Sequence, residues 1–322
     1  MTASFKRIDY SLRPAKHAER RMLCDVFRRL KPFGRVEDYV YVGFGSIWFA
    51  DFTLMHRSLG IKDMISIEQE KSAQARIDDN KPFRIPVDYR ESKHALPDLS
   101  WTKKQFLWLD YDDPLSMDVL LDLRTVVMRA GSGTVLTISV QCQKAPQYAE
   151  AEQDKVPDSP NAIERFITTF GRDRIPPGTS AKNLVGWPFG ALSRAILLQE
   201  IDAALAVRNS VDAGAEMCRQ LICEIEYEDG AKMATISVIF YSQQDKPLVE
   251  QCHFDGLDFL PNPLAPVRIV VPKLTGREFK KLESQLPLRV GEQLVLGTIP
   301  QTDANHFVKM YRYLPNFAVL EG

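Results

Sequence analysis

The sequence predicts an α/β fold: a mostly parallel sheet, flanked by helices, that closes in an antiparallel hairpin. Three observations carry this. Short β-branched or aromatic runs alternate with segments of helical periodicity between residues 39 and 140. Each of the first four runs ends in glycine or an acid. Further on, two long β-type runs are joined by Glu228-Asp229-Gly230, and Asp-Gly between such runs is a hairpin signal.

The first helix is expected over residues 14–30. Pro14 suits a first helical position, and Met22, Leu23, Val26, Phe27 and Leu30 make one apolar stripe. Lys16, Arg20, Arg21, Arg28 and Arg29 lie off that stripe and read as a solvated face. The alternative is that Arg13, Lys16 and Arg20 close over a ligand or meet an acidic substrate. Pro32 and Gly34 end the helix. A strand over 39–42 then runs into Gly43-Phe44-Gly45-Ser46, followed by a helix over 49–59 that Gly60 stops. A strand over 64–67 precedes Glu68 and a short helix over 71–79; one over 84–87 precedes Asp88 and an irregular crossover containing Pro97. The run 106–109 leads into Asp110-Tyr111-Asp112-Asp113-Pro114. A helix over 117–129, with Val119, Leu120, Leu123, Val126 and Val127 inward, precedes a fifth strand over 134–140.

From Gln143 the character changes. Residues 144–187 are polar and rich in Pro and Gly, with one helical patch over 163–170. So long an excursion within a compact domain reads as a functional cover or substrate loop. A helix over 189–207 and hairpin strands over 221–227 and 233–241 follow. Residues 1–245 are therefore expected to form one domain carrying the 144–187 insertion. Residues 246–322 are expected to form a proline-rich extension that packs on its core. Thr275-Gly276-Arg277-Glu278 has capping-box spacing and opens a helix there. The aromatic tail 309–320 should dock on the core, and Trp187 and Phe189 suit either a substrate pocket or the core.

Composition bounds the rest. With 322 residues the chain can bury one large core, and a net charge of -1 gives no general pull toward nucleic acid or membrane, although a local basic face stays open. No apolar run approaches the roughly 20 residues of a spanning helix, and the first residues lack an apolar signal core, so a cytoplasmic location is expected. Five scattered cysteines without a CxxC or Cys/His cluster read as reduced core residues, with neither a disulfide framework nor a metal site.

Ligands of parallel sheets lie beyond the strands' carboxyl ends, so Gly43, Gly45, Glu68, Asp88 and Asp110 are expected along one edge as a nucleoside-cofactor site. A dinucleotide fingerprint needs a third glycine where Trp48 stands, and an indole there would crowd the helix terminus. Two glycines suffice for a nucleoside to lie against the backbone. Glu68 lies where an acid accepts from both ribose hydroxyls, or else it starts the next helix. Asp88 suits an adenine amino group or is a turn acid. The carboxylates of Asp110, Asp112 and Asp113 repel one another unless a sulfonium, an amino substrate or a metal lies between them. With no His nearby the metal is the weakest of these, and Ser116 or Asp113 capping the next helix is the structural alternative.

YVGFGS, Glu68, VDYRES and LDYDDP resemble the successive motifs of class I S-adenosylmethionine-dependent methyltransferases. SLRPAKHAERRML, GFGSIWFADF and DMISIE are similar to bacterial O-methyltransferase-like proteins. The resemblance spans about the first 145 residues and the hairpin near Gly230, because that Rossmann-like sheet ends in a hairpin where dinucleotide folds add a sixth parallel strand. It implies S-adenosylmethionine as cofactor, with Gly43 and Gly45 at its methionine part, Glu68 at the ribose, Asp88 at the adenine and Asp110 at the methyl-transfer region. Phe44, Ser46, Tyr89 and Tyr111 complete the implied cofactor-binding set, and Asp110 and Asp112 would orient the acceptor or take its proton. The acceptor implied is an oxygen or nitrogen of no specified substrate. Tyr41 stands where many members carry an acid, and Ile47 replaces a third glycine. Neither Asp-Pro-Pro-Tyr nor a Pro-Cys nucleophile is present, which argues against methylation of adenine amino groups or pyrimidine C5. A second reading keeps the fold as a scaffold or sensor without turnover, its C-terminal extension binding a protein partner or a second copy. A third, an NAD-type binder, is disfavoured by Trp48 and by the lack of a basic residue over 43–51.

Overall fold

The strand runs pair into one sheet in a computed structural model that describes residues 13–154, 159–211, 216–260 and 265–315. The strands are β1 (Val40–Phe44), β2 (Asp63–Ile67), β3 (Val87–Asp88), β4 (Gln105–Pro114), β5 (Thr134–Gln141), β6 (Met217–Glu228), β7 (Lys232–Ser242) and β8 (Val267–Arg268). Their order is β3-β2-β1-β4-β5-β7-β6-β8. The first five are parallel, β7 is antiparallel to both β5 and β6, and β8 lies parallel to β6. The α/β class and the closing hairpin are as the sequence predicts.

Two helical layers cover the sheet. Helices α1 (Pro14–Arg28), α2 (Ala50–Leu59) and the short α3 (Gln74–Asp79) contribute to one core with Tyr41, Phe106 and Trp108. On the other face lie α4 (Ser92–Ala95), α5 (Met117–Arg129), α6 (Pro146–Gln153), α7 (Ala162–Phe170) and α8 (Gly186–Val211). Local chemistry sets their ends. Ser116 accepts from the Val119 amide at the start of α5, and Asn161 with Glu164 forms a capping box on α7. Gly60 takes φ 72° to close α2.

After α9 (Lys246–Gln251) the chain passes through β8 to α10 (Gly276–Glu283) and α11 (Gln301–Met310). The Thr275–Glu278 capping box forms as its spacing predicts. Leu282, Phe307, Tyr313 and Leu314 are buried in the same cluster as Met22, Leu23 and Phe27 of α1. Tyr313 Oη donates to Asp25 at 3.1 Å. The rest of the aromatic tail, residues 316–320, lies outside the described residues.

Three features differ from the sequence-based expectation. Strand β4 does not stop at Leu109: pairing with β5 resumes at Pro114, opposite Gln141, after Asp110 has paired with Ser139. Two more residues on β4 than on β5 must therefore bulge outward, which no local periodicity reveals. Strand β8 is too short to show a pattern. The 144–187 segment holds α6 as well as α7, and its Arg174 and Phe170 pack toward α8, where Arg174 pairs with the buried Glu200 at 2.6 Å. No helix among the described residues is long and apolar enough to cross a membrane.

Candidate functional site

Parallel register brings the strand ends into one row. Phe44 lies beside Ile67, Ile67 beside Asp88, Gly43 beside Trp108 and Asp110 beside Ser139. Beyond that row the Gly45 amide donates to the Ile67 carbonyl at 2.9 Å and the Glu68 amide to the Asp88 carbonyl at 3.0 Å. The glycines leave room for close neighbours. A Cβ on Gly43 would stand 2.9 Å from Tyr41 Oη; one on Gly45 would stand 2.3 Å from Ser66 Oγ and 3.6 Å from Glu68 Cβ. Gly45 thus lets the loop pass directly against Ser66, with Glu68 Cβ in ordinary contact beside it. Ser46 Oγ accepts from the Trp48 amide at 3.2 Å. Trp48 itself is 40% exposed, so its indole turns to solvent and does not crowd the α2 terminus, contrary to the expectation above. The tight conformation falls to Phe49, which is buried with φ 44° at the start of α2.

The β2–β3 side is open. Glu68 Oε1 accepts from the Glu70 amide at 2.9 Å. Burial lifts its pKa above the usual carboxylate range, against the lowering pull of that amide. Asp88 is held from both oxygens by Arg90, at 2.8 and 2.6 Å, which keeps its pKa low. Tyr89 Oη donates to the Gln74 carbonyl at 3.4 Å, and burial followed by Asp78 raises its pKa to about 12. A cavity of about 480 Å³ opens here, lined by Gln69, Glu70, Tyr89, Arg90, Glu91 and His94. A larger hollow of about 610 Å³, among Arg28, Lys31, Val36 and Leu59, belongs to the wrong end of the sheet for a ligand of this fold.

The β1–β4 side is closed by α1. The Lys16 ammonium is fully buried, 2.7 Å from Asp110 Oδ1 and 2.9 Å from Glu19 Oε2. It lies 4.2 Å from the centroid of the Trp108 ring and 5.4 Å from that of Tyr227. Burial opposes its charge, but Asp110, Glu19 and Asp51 outweigh that and raise its pKa. A chain of donors supports Glu19 from below. Trp108 Nε1 donates to Ser139 Oγ at 3.0 Å, Ser139 and Thr235 hydroxyls meet at 2.8 Å, and Thr235 donates to Glu19 Oε1. Arg20 pairs with Asp51 in the first turn of α2. The hairpin closes the far end: Asp229 accepts from the Lys16 amide at 2.8 Å and from the Ala15 amide at 3.4 Å, capping α1.

The solvated face expected for α1 holds at Arg21 and Arg28, which are exposed, and is corrected at Lys16 and Arg20. Lys16 is unexposed and Arg20 only 6% exposed, because the apolar stripe packs on the sheet while these charges turn inward over the ends of β1 and β4. Sequence reasoning missed Glu19, Asp51, Tyr227 and Thr235 altogether. The signal available was an acid, Glu19, placed three residues after Lys16 on a face otherwise basic. Of the acidic run, Asp110 enters this cluster and Asp112 stands exposed on the bulge. Tyr111 turns to the other layer, donating to Asp122 at 2.7 Å and meeting Phe44 edge-on at 4.9 Å between ring centroids.

No curated protein matches the sequence. Solved structures do match, at low similarity. One is an S-adenosylmethionine-dependent methyltransferase from Clostridium acetobutylicum, with 8% identity over 73% of this chain and 93% of that one, TM-score 0.38. Another, from Listeria monocytogenes and titled as a putative S-adenosylmethionine-dependent methyltransferase, shows 10% identity over 67% of this chain and 98% of that one, TM-score 0.37. A third is the sugar N-methyltransferase KedS8 from Streptoalloteichus, with 13% identity over 40% of this chain, TM-score 0.30; the match spans 49% of its length. The family comparison is decisive: residues 8–322 match the family described as "Putative O-methyltransferase", and the chain belongs to that family.

Proposed function

We propose that the protein is an S-adenosylmethionine-dependent methyltransferase acting on an oxygen or nitrogen acceptor. One observation supports this above the others: at the carboxyl edge of the sheet the bare backbone of Gly45 lies against the end of β2, tight to Ser66 and in ordinary contact with the stem of Glu68, so a glycine loop and an acid are neighbours there. A diol set there donates to Glu68, whose Oε1 is already aimed by the Glu70 amide.

The residues present fit the cofactor at the ribose, and for the methionine end Gly43, Gly45 and Asp110 lie at the ends of the adjacent strands β1 and β4. They fit less simply at the adenine. The Asp88 carboxylate is committed to Arg90, so recognition there falls to backbone groups and to the cavity beside Tyr89. When bound, the cofactor supplies an electrophilic methyl group on a sulfonium. The chain's own part is positioning, which for an in-line displacement supplies most of the rate. Lys16 fixes the Asp110 carboxylate, and Asp110, or Asp112 exposed on the β4 bulge, orients the acceptor or takes its proton.

Titration calorimetry with S-adenosylmethionine and S-adenosylhomocysteine tests the reading. Binding of both is expected. Neither heat nor a thermal shift at millimolar ligand would overturn it and favour the scaffold reading.

A further inference from the structure

The cluster beneath Asp110 is not balanced in charge. Within it Lys16 and Arg20 are cationic, while Glu19, Asp51 and Asp110 are acidic. Arg20 is matched by Asp51, so two carboxylates share the single ammonium of Lys16, at 2.7 and 2.9 Å. Asp229 and Arg13, at the rim, add one charge of each sign. Resting on the methyltransferase reading, we propose that this surplus carboxylate, carried by Glu19, is the counter-charge for the cofactor's sulfonium. The site then prefers S-adenosylmethionine to its neutral thioether product.

The physical argument is one of dielectric and reach. Glu19 and Lys16 are unexposed, so water screens neither, and a charge left over here acts across several ångströms. Lys16 cannot cancel both acids at once. Its position over Trp108 holds it between them, and the Thr235 hydroxyl keeps Glu19 from turning away. The amino and carboxylate groups are common to cofactor and product. Only the sulfonium distinguishes them, and a fixed negative charge is what such a site would use to expel the spent product after transfer.

The titration of Glu19 gives the test its handle. Facing it are Lys16 from α1, Asp110 from β4, Thr235 from β7, and Cys223 and Tyr227 from β6. Burial first, opposed by Lys16 and assisted by Asp110, raises its pKa above the ordinary carboxylate range. Below that pKa Glu19 is neutral and the surplus vanishes; above it the surplus is complete.

The experiment measures Kd for S-adenosylmethionine and S-adenosylhomocysteine by calorimetry from about pH 5 to 7.5, where the ligands' shared groups keep their charge, on wild type and on Glu19→Gln. In wild type the preference for the charged ligand should rise with pH, reaching about tenfold or more. Glu19→Gln keeps the shape and the Thr235 contact, and should flatten the profile and reduce the preference by about tenfold. A folded Glu19→Gln with an unchanged preference would overturn the proposal. If that variant fails to fold, Thr235→Val decides: it removes the hydroxyl that holds Glu19, and a folded Thr235→Val with an unchanged preference sinks the idea. Wild type that binds neither ligand overturns the underlying methyltransferase reading instead, and this inference with it.

Discussion

The two sides of the site are built differently. On the β2–β3 side, Glu68 is held by one amide and Asp88 by an exposed arginine, beside an open cavity. On the β1–β4 side, five charges cluster where α1 meets the sheet: Lys16, Glu19 and Arg20 are shut off from water, and Asp51 and Asp110 keep only a small exposed edge. Groups of the first kind can lose a partner and be rehydrated. Groups of the second cannot, because a buried charge deprived of its partner has nothing to replace it. The open side is thus suited to recognition by exchangeable hydrogen bonds, and the closed side to holding a fixed electrostatic field. Mutations should separate the two: recognition mutants lose ligand and keep the fold, whereas mutants of the closed side lose stability.

Lys16→Met should have the largest effect. The stem is kept, but Asp110 and Glu19 are left facing each other, which costs about 3–5 kcal/mol. Denaturant unfolding measures it, and the deficit should shrink at acid pH as the orphaned carboxylates take up protons. A loss under about 1 kcal/mol would mean that water reaches the cluster and that the contrast between the two sides is false.

Glu68→Ala should leave the fold intact and remove two charge-assisted hydrogen bonds from the ribose. After discounting for water that replaces the carboxylate, the net loss is roughly 2–3 kcal/mol, some 30- to 150-fold in affinity for S-adenosylmethionine. Glu70→Ala is the comparison. Its side chain caps the turn at Ser72 while its amide, which holds Glu68, survives the substitution, so affinity should change by less than about threefold. Equal losses in calorimetry would make Glu68 a structural acid.

Asp229→Ala removes the acceptor for two amides of α1 and should cost about 1 kcal/mol, with cofactor affinity falling only as far as α1 loosens. Unfolding with and without S-adenosylmethionine tells these apart. Smallest of all should be Asp88→Asn, less than about threefold in affinity, since Arg90 already occupies both oxygens. A tenfold loss would show that Arg90 swings aside and that Asp88 meets the adenine after all.

Most of the sheet was legible because its signals are local. Alternation, the Ser116 cap and the Asp-Gly turn each act within a few residues, and they placed β1, β2, β5, α5 and the hairpin within a few positions. The row of Gly45, Glu68 and Asp110 was legible for the same reason, since parallel register follows once the strands are known. What escaped was everything decided across the chain. Helical periodicity says that Lys16 and Arg20 share a face, but not that Asp110 and Asp51 lie opposite them. It says nothing of Arg90 turning back on Asp88, or of the bulge that resumes pairing at Pro114. Nor could composition reveal that Tyr41, standing where an acid is common, would be a buried ring beneath Gly43.

The cap on α1 also orders events in time. Asp229 meets the amide of Lys16 across 213 positions of sequence, so the helix that seals the site is synthesised well before the segment that caps it. Closing so long a loop is slow compared with pairing neighbouring strands. The parallel strands can therefore assemble while Lys16 still lies in water, its charge hydrated at little cost. Only when the hairpin arrives does that charge enter the interior, with Asp110 and Trp108 already in place to receive it. A nascent chain halted before residue 229 would hold the glycine loop and Glu68 but an unsealed pocket, so cofactor retention should appear late in synthesis and all at once.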